Sequence, residues 1–251
     1  MRILHTSDLH GDWKLPIREE RDFDLWVDTG DFFPNITRGF SVEPAFQRAW
    51  FTTDRTSLKK RFRAKAMFWP SRSRVPPFDR SIAVELTRKL KGRPVISVSG
   101  NHDWVNLADM LNSVGYKNAW NVEKGPIKFG GLKFAGFREV PFVTGEWKGE
   151  LEGGVLGLAQ ARPIVAAAMA HDPDVLVTHT PPHGILDVCP GKAVSGAHAG
   201  MPELTHHLFY RPNRVRAHLF GHIHEKTGRV EHGGILFSNA AEWGRIIEVE
   251  K

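Results

Sequence analysis

Cysteine is almost absent from this 251-residue sequence, since Cys189 is the single one, and an intramolecular disulfide is therefore excluded. A chain without disulfides fits a reducing compartment, so we expect a cytoplasmic protein. Long hydrophobic runs are also missing: no stretch of about 18 apolar residues occurs, which excludes an ordinary membrane-spanning helix. We also expect no cleavable signal peptide, because the first predicted strand begins at Arg2 and Asp8 already belongs to a candidate site.

The composition is otherwise that of a globular protein, with 41% hydrophobic and 25% charged residues and no internal repeat. A chain of 251 residues can bury a substantial core, so we expect a single α/β domain over residues 1–251. We expect one interruption of this domain, a basic, aromatic-rich insertion at about residues 34–80.

The positive charge is concentrated in that insertion. Residues 38–80 carry eleven Lys or Arg and three acidic residues, a local charge of +8 in a chain whose net charge is +6. Phe and Trp are interleaved with the basic residues, which leaves two interpretations. The aromatic rings stack on bases while the basic side chains contact phosphates, which would make a nucleic-acid or nucleotide cap. Alternatively, the insertion is a helical lid whose aromatic residues pack on the domain.

Five short apolar stretches, each predicted to be a strand, end in side chains that bind metals or transfer protons. Ligands of open α/β sheets bind at the carboxyl ends of the strands, so we expect these five ends to form one metal centre. The five ends are Asp8-Leu9-His10, Gly30-Asp31, Gly100-Asn101-His102-Asp103, Thr178-His179 and Gly221-His222-Ile223-His224.

The remaining pattern predicts further strands, helices and loops. The predicted strands are 2–7, 23–27, 94–99, 175–177, 217–220, 234–238 and 245–249, with a hairpin at 127–137. The predicted helices are 81–91, 107–114, 164–170 and 202–210. The predicted loops include 145–157 and 187–201.

The candidate ligands are imidazoles, carboxylates and one amide, without a thiolate. This mixture suits Mn²⁺, Fe, Zn²⁺, Co²⁺ or Ni²⁺ better than a soft thiolate metal or a Ca²⁺ site. Seven donors exceed the three protein ligands of a single catalytic zinc, so two ions that share a carboxylate are expected. The seven are Asp8, His10, Asp31, Asn101, His179, His222 and His224.

The order of these motifs resembles the calcineurin-like metallophosphoesterase family from Asp8 to His224, and Thr178–Asp187 resembles its small single-domain branch. The resemblance implies a four-layer α/β sandwich of two mixed β-sheets flanked by helices. It also implies a bridging Asp31, and a His102 that stabilises developing charge or protonates the leaving oxygen. Asp103 would orient the His102 imidazole. The implied metal ligands are Asp8, His10, Asp31 and His224 for one ion, and Asp31, Asn101, His179 and His222 for the other.

The implied activity is that of a phosphodiesterase, in which a metal-bound hydroxide attacks a small or nucleotide-type phosphodiester. One alternative is a nuclease that binds DNA or RNA through the insertion, and another is a phosphomonoesterase or protein phosphatase. A non-catalytic scaffold is disfavoured because no candidate ligand is substituted. We expect two divalent ions, Mn²⁺ first, a phosphate-ester substrate and no membrane partner, and the oligomeric state stays open.

Four residues outside the motif set have more than one interpretation. Arg138 either approaches a substrate phosphate or is an ordinary surface arginine. His183 and His198 match no ligand position, but both lie in segments able to reach the site. Cys189 is interpreted as a small packing residue rather than a nucleophile.

Overall fold

The computed structural model describes residues 1–11, 22–33, 77–103, 105–141, 155–156, 158–189, 197–242 and 244–250. Most of the predicted insertion at 34–80 lies outside these residues, so the structure tests neither interpretation of it. No helix within the described ranges is long and apolar enough to cross a membrane.

The first sheet has five strands in the order β15-β1-β2-β3-β4. The strand β15 is antiparallel to β1, while β1 to β4 run parallel, so the sheet is mixed. Its strands are β1 Arg2–Thr6, β2 Leu25–Asp28, β3 Val95–Ser97, β4 Ala119–Asn121 and β15 Arg245–Glu248.

The second sheet has six strands in the order β13-β14-β12-β9-β6-β5. Its central strands β14, β12, β9 and β6 are parallel, and the edge strands β13 and β5 are antiparallel to their neighbours. Its strands are β5 Ile127–Phe129, β6 Leu132–Phe137, β9 Val175–Thr178, β12 Ala217–Phe220, β13 Gly228–His232 and β14 Ile235–Asn239.

Two small two-stranded sheets complete the described strands. One pairs β7 Val140–Pro141 with β8 Val155–Leu156, and the other pairs β10 Val188–Cys189 with β11 Ala197–His198. The helices are α1 Pro77–Leu90, α2 Leu107–Ser113, α3 Leu158–Ala170 and α4 Pro202–Tyr210, with short 3₁₀ turns at Val122–Lys124 and His224–Lys226.

The two large sheets pack face to face, and helices cover their outer faces. Successive residues of a strand point to opposite faces, so Ile3 lies between the sheets while Leu4 faces α1 and α2. In the second sheet Val175 and Val177 face the first sheet, and Leu176 faces α3 and α4. Burial on both faces explains why apolar residues predominate in the middle of these strands. The predicted four-layer sandwich of two mixed sheets flanked by helices is confirmed.

Most predicted elements occur with ends shifted by a few residues, and the larger differences have physical reasons. We expected a helix from Ile164, because the segment from Ile164 to Ala170 is rich in alanine. Instead α3 begins at Leu158 and contains Pro163, since burial of Ala161 and Val165 on one helix face outweighs the lost hydrogen bond. The segment 187–201, predicted to be a loop, contains the β10–β11 ribbon. The strand β13 was not predicted because its side chains are mostly exposed and lack an apolar pattern.

Candidate metal centre

The predicted ligands follow the carboxyl ends of β1, β2, β3, β9 and β12, which bring them to one edge of the sandwich. Five of the seven side chains are buried and two are half-buried. Buried ionisable groups need partners or a metal, so this cluster is a site rather than a solvated surface. The residues brought together are Asp8, His10, Asp31, Asn101, His179, His222 and His224.

One group of ligand atoms comes from Asp8, His10 and His224. The Nε2 atom of His224 lies 3.2 Å from Oδ1 of Asp8 and 3.4 Å from Nε2 of His10. Ligands held about 2.1 Å from a common ion lie about 3.0–3.4 Å apart at octahedral or tetrahedral angles. The three atoms therefore have the spacing of ligands around one cation.

A second group of ligand atoms lies beside the first. The Nε2 atom of His179 lies 3.0 Å from Oδ1 of Asn101 and 3.3 Å from Oδ2 of Asp31, and the His222 ring centroid is 5.1 Å from that of His179. Ligand atoms of Asp8, Asp31 and His179 lie within 4.8 Å of one another, so Asp8 is common to both groups. The two candidate ion positions are thus adjacent, and the bridging role of Asp31 stays a prediction.

The backbone is strained where it presents these ligands. Asp8, His10, Asp31 and His222 have φ values of 54°, 44°, 53° and 70°, in the left-handed region. Non-glycine residues rarely adopt this region, although Asp and His tolerate it better than most. Strained residues at strand ends are typical of functional sites, because the surrounding structure must hold them in place.

Two motif glycines are required by close packing against the ligands. A Cβ atom on Gly100 would lie 2.0 Å from Oδ1 of Asp31, and one on Gly221 would lie 2.2 Å from Oδ2 of Asp8. Any side chain there would displace a candidate ligand. The glycines before Asn101 and His222 therefore allow the loops to approach the two carboxylates.

Hydrogen bonds fix the orientation of two candidate histidine ligands. The Nδ1–H group of His179 donates to the carbonyl oxygen of Thr29 at 2.8 Å, so Nε2 is the atom that faces the centre and would bind an ion once deprotonated. Nδ1 of His224 lies 2.8 Å from Oε1 of Glu242. Carboxylates and carbonyls behind metal-binding histidines hold the ring in the binding orientation. Sequence reasoning missed Glu242, which lies in no motif.

The protonation of the centre without metal follows from its charges. Burial disfavours a charged His179, but Asp31 and Asp8 outweigh this effect and raise its pKa to about 10. Burial opposes charge on His224 too, yet the hydrogen bond that its imidazole donates to Asp8 helps to raise its pKa to about 9. Burial would raise the pKa of Asp8, but His179 and His224 bring it to about 2. The same balance, dominated by His179, lowers the pKa of Asp31.

The chemistry of the cluster fits divalent cations. Nδ1 of His10 and Nδ2 of Asn101 are buried without a hydrogen-bond partner among the described residues. Unsatisfied polar atoms in a buried site usually indicate that water or another group completes it, although the amide Nδ2, as a hydrogen-bond donor, is not itself a cation ligand. Anionic carboxylates around histidine nitrogens supply the donors that Mn²⁺, Zn²⁺ and similar ions prefer.

His102 lies beside the candidate ligands and is reachable from solvent, with 17% of its side chain exposed. Its Nε2 atom is 3.9 Å from Oδ2 of Asp31, and its backbone N–H donates to Oδ1 of Asp31 at 2.8 Å. The imidazole ring is 5.5 Å from the ring of His10. A substrate oxygen at the centre would therefore be near an imidazole that can donate a proton.

The carboxylate of Asp103 joins the loops that follow β2 and β3. It accepts backbone N–H groups from Asp31 at 2.7 Å, Gly100 at 2.8 Å and Phe33 at 3.2 Å. Burial, together with the charge of Asp31, raises the pKa of Asp103 to about 7. These contacts show that Asp103 holds the backbone of the two loops in place. Its orienting effect on the His102 imidazole stays a prediction.

Arg138 also contacts this loop. Its Nη2 atom donates to the carbonyl oxygens of Gly100 at 2.9 Å and Asp103 at 3.0 Å. Neither sequence interpretation anticipated this contact, because no motif connects the segment after β6 with the loop after β3. Arg138 therefore supports the segment that carries Asn101 and His102.

Comparisons with known proteins agree with this geometry. The family model for calcineurin-like phosphoesterase matches residues 1–226. Two Caenorhabditis elegans proteins, both named UPF0046 proteins, are 40% identical over 68 residues and 35% identical over 85 residues. These matches cover 27% and 33% of this chain but only 24% and 26% of the worm proteins.

A solved crystal structure has the same fold, with a TM-score of 0.62 at 15% identity over 96% of this chain and 90% of the other. At this identity the likeness concerns the fold alone. The family model, in contrast, spans every predicted ligand from Asp8 to His224. This chain belongs to the calcineurin-like phosphoesterase family, whose members are metal-dependent hydrolases of phosphate esters.

Proposed function

We propose that this chain is a phosphodiesterase that hydrolyses a small or nucleotide-type phosphodiester with two divalent ions. One observation carries the proposal: two adjacent groups of ligand atoms share Asp8, and the His102 imidazole lies beside them. When bound, the ions would act as Lewis acids on a phosphoryl oxygen and lower the pKa of a coordinated water. The family supports phosphoester hydrolysis, and the preference for diesters is our own inference.

The residues of the chain have separate tasks in this proposal. The seven candidate ligands would hold the ions, and Asp31 would contribute to both. The His102 imidazole stabilises negative charge on the phosphoryl group or protonates the leaving oxygen. Asp103 and Arg138 hold the backbone of the loop that carries His102. A diester with an alkoxide leaving group benefits most from such a proton donor, because an alkoxide is a strong base.

We expect Mn²⁺ to be the most effective ion, with Fe, Zn²⁺, Ni²⁺ or Co²⁺ as alternatives, since all accept imidazole and carboxylate ligands. A cytoplasmic location is our expectation from the single cysteine. We also propose that residues 1–251 form one domain, because the sandwich includes both the first strand and β15 in one sheet.

A substrate panel tests the proposal. Metal-stripped protein is reloaded with one ion at a time and assayed with bis-p-nitrophenyl phosphate, p-nitrophenyl phosphate, and 2′,3′- and 3′,5′-cyclic nucleotides. We expect Mn²⁺-dependent turnover of diesters that Asp31→Asn abolishes. Asp172→Asn is the matched control, because Asp172 is an exposed carboxylate and lies in no candidate ligand group. Equal turnover in Asp31→Asn and wild type would refute the assignment, and faster monoester turnover would favour a phosphomonoesterase.

A nuclease is the second candidate, and the charge of +8 in residues 38–80 is the observation that favours it. Phosphate contacts by Lys and Arg make binding strongly salt-dependent. Because α1 begins at Pro77, a deletion of the insertion should end at residue 76. We expect this deletion to retain turnover of small diesters. If the nuclease interpretation holds, it removes binding of DNA or RNA, which filter binding at several salt concentrations measures.

A further inference from the structure

A second cluster of metal-ligand side chains lies outside the centre and shares no residue with it. Ligand atoms of His183, Asp187 and His198 lie within 4.8 Å of one another. Nδ1 of His198 is 2.8 Å from Oδ1 of Asp187, and the two imidazole rings are 4.6 Å apart between centroids. Both histidines are exposed, whereas Asp187 is 1% exposed. The cluster thus combines a buried anion with two accessible imidazoles.

The local fold holds the Asp187 carboxylate in a fixed orientation. Its Oδ2 atom accepts the backbone N–H groups of Gly184 at 3.0 Å and Gly200 at 3.2 Å. Oδ1 is the atom that contacts His198, whose strand β11 pairs with β10 immediately after Asp187. The turn that follows Pro182 brings His183 to the same side. One carboxylate oxygen therefore serves the fold, and the other faces the two histidines.

A simple Asp–His ion pair does not account for the second histidine. Within the described part of the chain, no residue forms a hydrogen bond with the His183 ring, which instead lies against the His198 ring. One cation held by the two imidazoles and the Asp187 carboxylate would use all three donors.

We propose that His183, Asp187 and His198 bind a third divalent transition-metal ion, such as Zn²⁺. Two imidazoles and one carboxylate form a recurrent ligand set for such ions, and three protein ligands leave a position for water. The site is independent of the proposed esterase activity, because it consists of residues that we assign to no catalytic step.

The proposed site is structurally connected to the centre. His183 follows the ligand His179 by four residues. Cys189 and Ala199, which flank the site, pack on the buried Ile223 between His222 and His224. An ion bound by the three residues would therefore hold together a loop that contacts two ligand-bearing segments of the centre.

Counting bound ions tests the proposal. Metal-stripped full-length protein is dialysed against buffered free Zn²⁺, and zinc per chain is measured by elemental analysis. We expect three ions for wild type and two for the double variant His183→Ala/His198→Ala. The matched control is His206→Ala/His207→Ala, a neighbouring histidine pair on α4 whose ring centroids are 6.0 Å apart, and it should retain three ions.

A variant that lacks two ligands of the centre distinguishes the proposed site from the centre. The double variant Asp31→Asn/His179→Ala should lose ions of the centre but retain one ion that His183→Ala/His198→Ala then removes. Asp187 stays unchanged in all variants, since its carboxylate also holds the loop backbone. Equal zinc content in wild type and His183→Ala/His198→Ala would overturn the proposal, whatever the esterase assays give. Circular dichroism of each variant verifies that the fold is intact.

Discussion

Glu242 is expected to control how tightly the centre binds one of its ions. Its Oε1 atom is 2.8 Å from Nδ1 of His224, whose Nε2 atom faces Asp8 and His10. The backbone N–H of Glu242 donates to the carbonyl oxygen of Ser7 at 3.1 Å, next to Asp8. Glu242 is thus fixed to the strand end that supplies Asp8 while its carboxylate orients the opposite ligand. Removing this carboxylate should leave the ligand but release its orientation.

The size of the effect follows from the kind of contact. Loss of a hydrogen-bond partner behind a metal ligand typically costs about 10- to 100-fold in affinity, or roughly 1.4–2.7 kcal/mol. The side chain of Glu242 is 55% exposed, so solvent weakens the interaction and the lower limit applies. We expect Glu242→Ala to weaken binding about tenfold. Glu242→Gln keeps a neutral acceptor, which is about half as strong, and should weaken binding about threefold.

Calorimetric titration of metal-stripped protein with Mn²⁺ measures both variants. Glu225→Ala is the matched control, because Glu225 is an exposed carboxylate in the same turn as His224. Since Glu242 has a φ of 63°, thermal unfolding of the metal-free variants measures any backbone cost separately. An affinity of Glu242→Ala equal to that of Glu225→Ala would refute the assigned role of Glu242.

Three further predictions concern protonation and support of the loop after β3. Because His179 and His224 have raised pKa values of about 10 and about 9 without metal, loading at pH 7 should release about two protons, which calorimetry in buffers of different ionisation enthalpy detects. Arg138→Met should lower kcat about tenfold or more with little change in metal content, and Arg138→Lys should recover part of it. Burial lowers the pKa of His218 to about 3, so the fold loses stability as the pH falls from 6.5 toward 3, where only the unfolded state binds a proton at this residue. In urea unfolding over this range, the free energy of unfolding of His218→Gln should therefore change less steeply with pH, by up to about 1.4 kcal/mol per pH unit. Metal loading without proton release, unchanged Arg138→Met kinetics or an unaltered His218→Gln slope would contradict these expectations.

The His218 prediction depends on a neutral imidazole. Its Nε2 atom lies 2.8 Å from Oγ1 of Thr178, and that hydroxyl donates to the carbonyl oxygen of Thr180 at 2.6 Å. Because the hydroxyl proton is used, Nε2–H of His218 must be the donor, and Nδ1 is left without a proton. Nδ1 is buried with no hydrogen-bond partner among the described residues. A second proton would therefore enter an environment that offers it no acceptor.

Much of the fold and the candidate ligands could be predicted from local sequence. The strand before Asn101 is apolar and β-branched, and its end is marked by Gly100, so both the strand and the position of its ligand are evident. The same holds for the strands before His179 and His222. Parallel strands place their ends at one edge, which is why ligands from distant segments could be expected to meet.

The supporting contacts could not be predicted in this way. Glu242 and Arg138 reach the site with long side chains from segments without a motif, and their partners are determined by how the strands pack. The same applies to Asp103, whose partners are backbone amides of a neighbouring strand end. Backbone acceptors and donors carry no sequence signal, because every residue has them.

The motif glycines Gly100 and Gly221 link the sequence motifs to the contacts that support the site. Sequence alone identifies Gly100 and Gly221 only as residues that precede a ligand, whereas the structure gives the reason, since Cβ atoms there would overlap Asp31 and Asp8. The backbones of Asp31 and Asp8 have positive φ values. The Asp31 carboxylate accepts the backbone N–H of His102, and the Asp8 carboxylate accepts that of His222. Each ligand loop is therefore positioned by a carboxylate of another loop, so the site forms only when the five strand ends are already assembled.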